Sequence, residues 1–214
     1  MKKSSSRIAR EGYPFLVPPL CLLVLGWAVH MPWLLWTGCG LFAAIAAFFR
    51  DPSRVIPAGP GLVVAPADGK IVAIEEIAAA PFVNKPMRRV SIFLSIFNVH
   101  INRLPVAGTI KHLAYHAGKF FVASFEKASE QNERHVIHME DEAGRDIIVT
   151  QIAGLVARRI VSYLHEGDRV ARGKRFGLIR FGSRVDLYLP LDCELLVKRG
   201  DRVCGGSSLM GRFS

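Results

Sequence analysis

The segment RFGSRVDLYLP, residues 180–190, combines a clear strand pattern with an unusual dipeptide. Alternating apolar residues predict a β-strand with one buried face. These residues are Phe181, Val185, Leu187 and Leu189. Gly182-Ser183 lies inside the run, where a turn would interrupt the strand. Since glycine weakens the interior of a strand, the dipeptide indicates a β-bulge or a close approach of another backbone.

A strained Gly-Ser peptide also carries the groups that self-cleavage needs. The Ser183 hydroxyl is next to the Gly182 carbonyl, and its attack converts the peptide bond into an ester that β-elimination breaks. The new N-terminus is then a pyruvoyl group, an electrophilic ketone made from the chain itself. The dipeptide alone leaves both interpretations open, a bulge without chemistry and a cleavage site.

Short β-like runs separated by turn residues fill most of the sequence around this segment. They are LVVAP (62–66), KIVAIEEI (70–77), RRVSIFLS (88–95), GTIKHLAYH (108–116), RHVIHME (134–140), RDIIVTQIAG (145–154), RFGLIRF (175–181) and SRVDLYLP (183–190). This spacing predicts a mainly β (α+β) domain, built as a sandwich or barrel. Two segments of this region favour helix, Ala123–Glu133 and Gly154–Leu164.

One short pattern occurs twice in this β region. The sequence GDRV begins at Gly167 and again at Gly200, each time with a further glycine three residues after the valine, Gly173 and Gly206. The pattern resembles the hairpin turn of lipoyl-type β-sandwiches and predicts two similar hairpins around the Gly-Ser strand. The second copy contains Gly206-Ser207-Ser208, a rival cleavage site that we interpret as a structural turn.

The N-terminal part of the chain is apolar. Residues 14–49 contain no Asp, Glu, Lys or Arg and form two runs, Phe15–Val29 and Trp33–Phe49, separated by His30-Met31-Pro32. Since a membrane span needs about 20 apolar residues, the runs predict a helical hairpin that crosses the bilayer or embeds in one leaflet. Tryptophans cluster near the break, as at a membrane interface: Trp27, Trp33 and Trp36.

Basic residues flank both ends of the hairpin, which places both ends in the cytoplasm by the positive-inside rule. A cleaved signal peptide fits less well, because the apolar stretch is long and no small-residue cleavage site follows it. We therefore predict a membrane-anchoring domain at residues 1–50 and a β domain at residues 51–214, on the cytoplasmic face of the cell (inner) membrane.

The overall charge supports this assignment. Lys and Arg number 28 against 18 Asp and Glu, a formal net charge of +10, which favours an anionic partner. The apolar hairpin decides for anionic membrane lipids and against nucleic acid. The four cysteines follow neither a metal-ligand nor a disulfide pattern, and no metal is expected.

Three further stretches carry polar residues between predicted strands. SIFNVHINRLPVAG (95–108) contains Asn98, His100, Asn102 and Arg103, and APADGK (65–70) sets Asp68 in a tight turn. KASEQNER (127–134) is the third. Each has a structural explanation: a hydrogen-bonded loop, an Asp-Gly turn and a solvated helix end.

Taken in order, these motifs resemble the phosphatidylserine decarboxylases, in their short membrane-anchored bacterial branch. The resemblance covers residues 48–190. It rests on FFRDPSRVIP, APADGKI, FLSIFNVHINRLPVAG, KASEQNER and RFGSRVDLYLP.

The resemblance implies a proenzyme that cleaves itself between Gly182 and Ser183. The products would be a β chain, 1–182, and an α chain, 183–214, held as a heterodimer or a higher oligomer, with Ser183 converted to the pyruvoyl cofactor. The ketone would form a Schiff base with phosphatidylserine and act as the electron sink for loss of carbon dioxide, yielding phosphatidylethanolamine.

The family's functional residues transfer unevenly. The resemblance implies catalytic roles for Ser183, His100 and Asp68. Longer members have a second histidine where this chain has Arg103, which is no general base at ordinary pH. We expect His100 to serve both cleavage and proton return, with Asp68 orienting it or Ser183. We expect three further residues to bind substrate, Arg103, Arg184 and Asn98. If His100 is not the base for cleavage, the alternatives are His112, His116 and His135.

Two other functions remain compatible with the sequence. One is a pyruvoyl decarboxylase acting on a different serine-bearing lipid. The other is a non-catalytic, membrane-tethered adaptor of lipoyl-like β-sandwich type, which would run as one chain on a denaturing gel.

Overall fold

Two apolar helices precede an antiparallel β structure in the computed structural model, which describes residues 8–118, 132–154, 159–180 and 182–214. The chain divides into two units, Met1–Ser53 and Arg54–Ser214.

The N-terminal unit is the expected helical hairpin. Helix α1 covers Tyr13–Ala28 after a 3-10 turn at Arg10–Gly12, and α2 covers Pro32–Phe48. Glycines allow the helices to pack closely: a Cβ on Gly26 would lie 2.8 Å from Leu34 Cβ, and one on Gly38 would lie 2.9 Å from Leu23 Cγ.

The helices differ in their ability to span a membrane. The 19-residue segment Arg10–Ala28 is long and apolar enough to cross one, and Pro32–Phe48 is shorter. The three tryptophans near the break are exposed. These features fit membrane association of this unit.

The second unit contains fourteen strands within the described residues. They are β1 (Leu62–Val64), β2 (Gly69–Ile77), β3 (Met87–Leu94), β4 (Ile101–Arg103), β5 (Gly108–His116), β6 (Arg134–Asp141), β7 (Asp146–Ala153), β8 (Ile160–Ser162), β9 (Arg169–Val170), β10 (Arg175–Ile179), β11 (Ser183–Leu189), β12 (Glu194–Leu195), β13 (Arg202–Val203) and β14 (Leu209–Arg212). The expected mainly β class is confirmed.

Strand β11, which begins at Ser183, lies in the middle of the main sheet. This sheet has eight strands in the order β13-β2-β3-β11-β7-β6-β5-β9, and β11 pairs antiparallel with β3 and β7. Since side chains alternate along a strand, the Ser183 face of β11 carries Val185, Leu187 and Leu189 into the apolar core, and the other face carries Arg184 and Asp186.

Two three-stranded sheets, β4-β10-β8 and β1-β14-β12, complete the unit. The core contains residues from all three sheets, among them Leu94, Phe176, Leu187 and Met210.

The GDRV repeat is present in three dimensions. Its two copies form β9 and β13, which are the opposite edges of the eight-stranded sheet. Three pairs of corresponding backbone hydrogen bonds hold the two copies. In the first copy, Gly167 N–H donates to Ile110 O (2.8 Å), Ile110 N–H to Asp168 O (3.0 Å) and Gly173 N–H to Leu104 O (2.8 Å). In the second copy, Gly200 N–H donates to Ile71 O (2.8 Å), Ile71 N–H to Asp201 O (2.9 Å) and Gly206 N–H to Ala65 O (2.8 Å). The unit is therefore built around two equivalent turn-and-strand elements.

One helix prediction is wrong and another is mostly untested. Within Gly154–Leu164, the described residues include β8, which pairs with β10, because the β-branched Ile160 and Val161 complete that sheet. Of Ala123–Glu133, residues 123–131 lie outside the described residues.

Candidate active site

The Gly-Ser dipeptide lies where three chain connections pass from the eight-stranded sheet to the sheet β4-β10-β8. The described residues of these connections, 95–100, 154, 159, 180 and 182, are called the crossover region below. At one end of the region Ser183 pairs with Leu94 and Ala153. The crossover region therefore gathers three separate segments at the predicted cleavage site.

Gly182 has an unusual backbone conformation, and Ser183, the first residue of β11, has an unusual side-chain environment. Gly182 has φ 53°, in the left-handed region, although a Cβ there would meet nothing within 4 Å. Glycine is therefore needed for its backbone conformation and not for space. Ser183 is completely buried, and its Oγ has no hydrogen-bond partner among the described residues. Buried hydroxyls are normally hydrogen-bonded, so this one is exceptional.

His100 enters the crossover region from the other sheet. Its carbonyl accepts the N–H of Ile179 at 3.4 Å, and Ile179 is the last residue of β10, just before 180–182. The ring is buried, and Nδ1 lies 3.0 Å from the backbone oxygen of Asn98. Because a carbonyl only accepts, Nδ1 carries the proton in the neutral ring and Nε2 is its basic atom.

Asp68 lies at the same end of the sheet as Ser183, two strands away. It directly precedes β2, whose Lys70 pairs with Phe93 of β3, and two strand spacings correspond to about 10 Å. Its Oδ2 accepts Arg54 Nη2 at 2.6 Å, and its Oδ1 accepts the N–H of Gly205 at 2.7 Å. Asp68 thus links Arg54 to the second Gly-Ser turn.

Comparison with known proteins decides the family. A model of the phosphatidylserine decarboxylase family matches residues 41–211. Proteins named phosphatidylserine decarboxylase proenzyme are similar over nearly the whole chain. One from Magnetococcus marinus is 47% identical (99% of this chain, 97% of the relative), and one from Nitrosomonas europaea is 45% identical (96% and 95%). One from Symbiobacterium thermophilum is 48% identical (96% and 95%).

The chain belongs to the phosphatidylserine decarboxylase family. This family of carboxy-lyases accounts for the order of the motifs, and the non-catalytic adaptor is not supported.

The two arginines expected to bind substrate occupy different positions in this decarboxylase family member. Arg103, at the end of β4, donates from Nη1 to the carbonyl of Gly173 at 3.3 Å. Arg184 lies on the sheet face opposite Ser183, where Nε donates to Asp186 Oδ1 at 2.6 Å and Nη2 donates to Ser91 Oγ at 2.8 Å. This buried ion pair keeps Arg184 away from the Ser183 side of the sheet.

Asn98 closes the turn at residues 95–98. Its Oδ1 accepts the N–H and the hydroxyl of Ser95, at 2.9 and 2.8 Å. Since its backbone oxygen also holds His100, Asn98 orients the histidine through the main chain.

The end of the KASEQNER motif has a role that the solvated-helix interpretation missed. Asn132 and Glu133 are buried, Asn132 Nδ2 donates to the carbonyl of Ala153 at 2.7 Å, and the Ala153 N–H donates to the carbonyl of Glu133 at 2.9 Å. Because Ala153 pairs with Ser183, the motif supports the strand beside the predicted cleavage site. Residues 127–131 of the motif lie outside the described residues.

Of the alternative bases, only His135 is buried; His112 and His116, on β5, are exposed. His135 Nδ1 lies 3.3 Å from Gln151 Oε1, and Gln151 Nε2 donates to Asn102 Oδ1 at 2.7 Å. Burial lowers the pKa of His135, opposed by the hydrogen bond with Gln151.

The hydrogen-bonded side chains of His135, Gln151 and Asn102 border the site, since Gln151 is two residues before Ala153 and Asn102 is two residues after His100. An amide inside the apolar strand IIVTQIA was the available sequence signal for Gln151.

Proposed function

We propose that this chain is a proenzyme that cleaves itself between Gly182 and Ser183 and then decarboxylates phosphatidylserine to phosphatidylethanolamine. The observation that carries the proposal is the buried Ser183 hydroxyl, which has no hydrogen-bond partner among the described residues, next to a glycine in the left-handed conformation. A hydroxyl that no hydrogen bond holds in place is available to attack the adjacent carbonyl.

The cleavage balances without an outside reactant other than water. Ser183 Oγ bonds to the Gly182 carbonyl carbon, the peptide C–N bond breaks, and the hydroxyl proton moves to the freed nitrogen by way of a base. Loss of the Ser183 α-proton expels the Gly182 carboxylate with Oγ. Water then replaces the nitrogen, which leaves as ammonia, and a ketone remains at the N-terminus of the 183–214 chain.

His100 is the proposed base for this step. Asn98 holds Nδ1 protonated, so Nε2 is the atom that accepts a proton. Asp68 supports the process indirectly, because its carboxylate is engaged by Arg54 and by Gly205.

For decarboxylation, the pyruvoyl group supplies an electron sink for the pair released as carbon dioxide leaves. The same His100 then returns a proton to the substrate carbon. Burial of His100 and Ser183 limits access of water, which favours controlled proton transfer.

The pairing of β11 supports a heterodimer after cleavage. The α chain would begin with β11, which is paired on both sides with strands of the β chain, and β13 and β14 pair with β2 and β1. We expect these pairings to hold the α chain in place.

The net charge and the apolar hairpin support action on an anionic lipid at the cytoplasmic face of the inner membrane. A different lipid with a serine headgroup has the same reacting group. A competition assay between phosphatidylserine and such a lipid therefore tests the substrate assignment.

Intact mass of the purified protein tests the self-cleavage. We expect two chains, 1–182 and 183–214, whose summed mass differs from the precursor by one water gained and one ammonia lost. A single chain of precursor mass, together with decarboxylase activity, would contradict the proposal.

A further inference from the structure

The turn at residues 95–98 exposes two apolar side chains beside the candidate site. Ile96 is 51% exposed and Phe97 is 80% exposed. The turn is well defined, because Asn98 Oδ1 accepts two hydrogen bonds from Ser95 and the Asn98 N–H donates to the Ser95 carbonyl at 2.9 Å. These two residues are called the apolar tip below.

The tip lies between the two main residues of the site. Leu94, two residues before Ile96, pairs with Ser183, and His100 follows Phe97 by three residues. Since Leu94 and His100 are buried while the tip is exposed, the turn runs from the core to the surface and back within the crossover region.

The surroundings of the tip are basic. The described residues of the crossover region include Arg159 and Arg180 and contain no Asp or Glu. At the same end of the sheet, Lys70 and Arg202 are exposed and lie opposite each other on β2 and β13. An apolar point within a basic surface is complementary to an anionic bilayer, whose headgroups attract cations and whose acyl region accepts apolar side chains.

We propose that the apolar tip inserts into the surface of an anionic phospholipid bilayer and brings the crossover region to the lipid headgroup. The contact is separate from the apolar hairpin of residues 14–49, which provides anchoring. The inference rests on the proposed function for the identity of the substrate.

The first test compares two substrates and two double variants of the full-length, processed chain. Ile96→Ser with Phe97→Ser removes the tip. Leu191→Ser with Leu196→Ser is the control, since these leucines are 42% and 47% exposed and follow the far end of β11. Turnover is measured on phosphatidylserine in vesicles and on a short-chain phosphatidylserine kept below its micelle concentration.

We expect the ratio of vesicle turnover to short-chain turnover to fall about tenfold in the tip variant, because bilayer insertion depends on buried apolar area, and to stay unchanged in the control. An unchanged ratio overturns the inference. An equal loss on both substrates also overturns it, since the tip would then act on catalysis and not on the bilayer.

The second test measures insertion without turnover. Phe97→Trp and Leu191→Trp are each added to the full-length chain, and the emission of the parent, which has Trp27, Trp33 and Trp36, is subtracted. Vesicles of phosphatidylserine and phosphatidylcholine with brominated acyl chains should quench the residue at 97 and not the one at 191.

Equal quenching at both positions contradicts the bilayer contact. Quenching at 97 in a chain that never cleaves retains the contact and rejects the proposed function, so the two ideas fail separately.

Discussion

The chain contains two glycine-serine pairs in similar local conformations, Gly182-Ser183 and Gly206-Ser207. Both glycines have positive φ, 53° and 80°. Ser183 is completely buried at the start of the central strand and its Oγ has no hydrogen-bond partner among the described residues. The second pair lies in a turn, where the Gly206 N–H donates to Ala65 O at 2.8 Å and the Ser207 N–H donates to Cys204 O at 3.0 Å.

The two pairs have the same sequence, so only the hydrogen bonding and burial of their surroundings distinguish them. At residue 206 the backbone hydrogen bonds and nearby side chains fix the turn; a Cβ there would lie 2.8 Å from Arg103 Cδ. At residue 182 the backbone is equally unusual, but the space around it is open and the neighbouring hydroxyl is buried. We expect reactivity where the backbone is strained and the nucleophile is not held by a hydrogen bond.

Replacing each serine by alanine should give the largest difference in cleavage between the two pairs. Ser183→Ala removes the attacking hydroxyl and should leave one intact, inactive chain, while Ser207→Ala should be cleaved and active. A denaturing gel and intact mass measure both. Normal cleavage of Ser183→Ala would contradict the assignment of the site.

His100 tests whether one base serves the first pair. His100→Ala should slow both cleavage and turnover by at least about 100-fold, the usual contribution of general acid–base catalysis. The time course of cleavage and release of carbon dioxide measure the two steps, with His165→Ala, at an exposed histidine, as control. Full cleavage without turnover would divide the roles and direct attention to His112, His116 and His135.

Asp68 lies between the two pairs, since it directly precedes β2, two strands from Ser183, and accepts a hydrogen bond from the turn that contains the second pair. Asp68→Asn keeps an oxygen for the Gly205 N–H and loses the ion pair with Arg54. We expect cleavage to slow about tenfold, equivalent to about 1.4 kcal/mol. Arg54→Met is the matched variant: equal slowing indicates that the ion pair acts, and slowing only in Asp68→Asn indicates that the carboxylate itself acts. Unchanged cleavage in Asp68→Asn would exclude a role in processing.

Substitution of Gly182 and of Gly206 should affect the stability of the fold and the rate of cleavage differently. Alanine at either position should lower the free energy of unfolding by about 1–2 kcal/mol, because of the left-handed backbone. Gly206→Ala adds an unfavourable close contact with Arg103 Cδ. In a Ser183→Ala background, urea unfolding should therefore show Gly206→Ala as the less stable variant. With Ser183 present, Gly182→Ala should cleave more slowly and Gly206→Ala at the normal rate. The reverse order of stability would mean that the turn at 206 relaxes easily.

The smallest effect concerns the pKa of His135, which with Gln151 and Asn102 forms a row of hydrogen-bonded polar side chains near Gly182-Ser183. Burial lowers the pKa of His135 in the folded protein, so the unfolded chain binds more protons as the pH falls below the ordinary histidine pKa of about 6.5. The free energy of unfolding should therefore decrease as the pH falls from 6.5 toward the lowered pKa. Urea midpoints of Ser183→Ala across this range, with and without His135→Gln, measure it, and equal pH dependence in the two chains would contradict the prediction.

The sequence by itself determined the helical hairpin and most of the strands. Apolar runs bounded by His30-Met31-Pro32 require burial in an apolar environment, and alternation in the β region specifies one buried face for each strand. The short strands β4, β8 and β12 were not predicted, because two or three residues carry little pattern and form strands only where a partner exists. Ile160 and Val161 illustrate this, since they lie in the segment Gly154–Leu164, for which helix was predicted, and pair with β10 in the fold.

Only the tertiary structure decided what surrounds each candidate residue. The sequence marked Ser183 and His100 by motif, but their positions at two ends of the crossover region depend on strands far apart in the chain. Arg184 was equally plausible from sequence, and the alternation of side chains directs it to the opposite face, where Asp186 and Ser91 bind it. Local pattern specifies which residues form strands, whereas the environment of a hydroxyl or a guanidinium depends on long-range pairing that no short segment encodes.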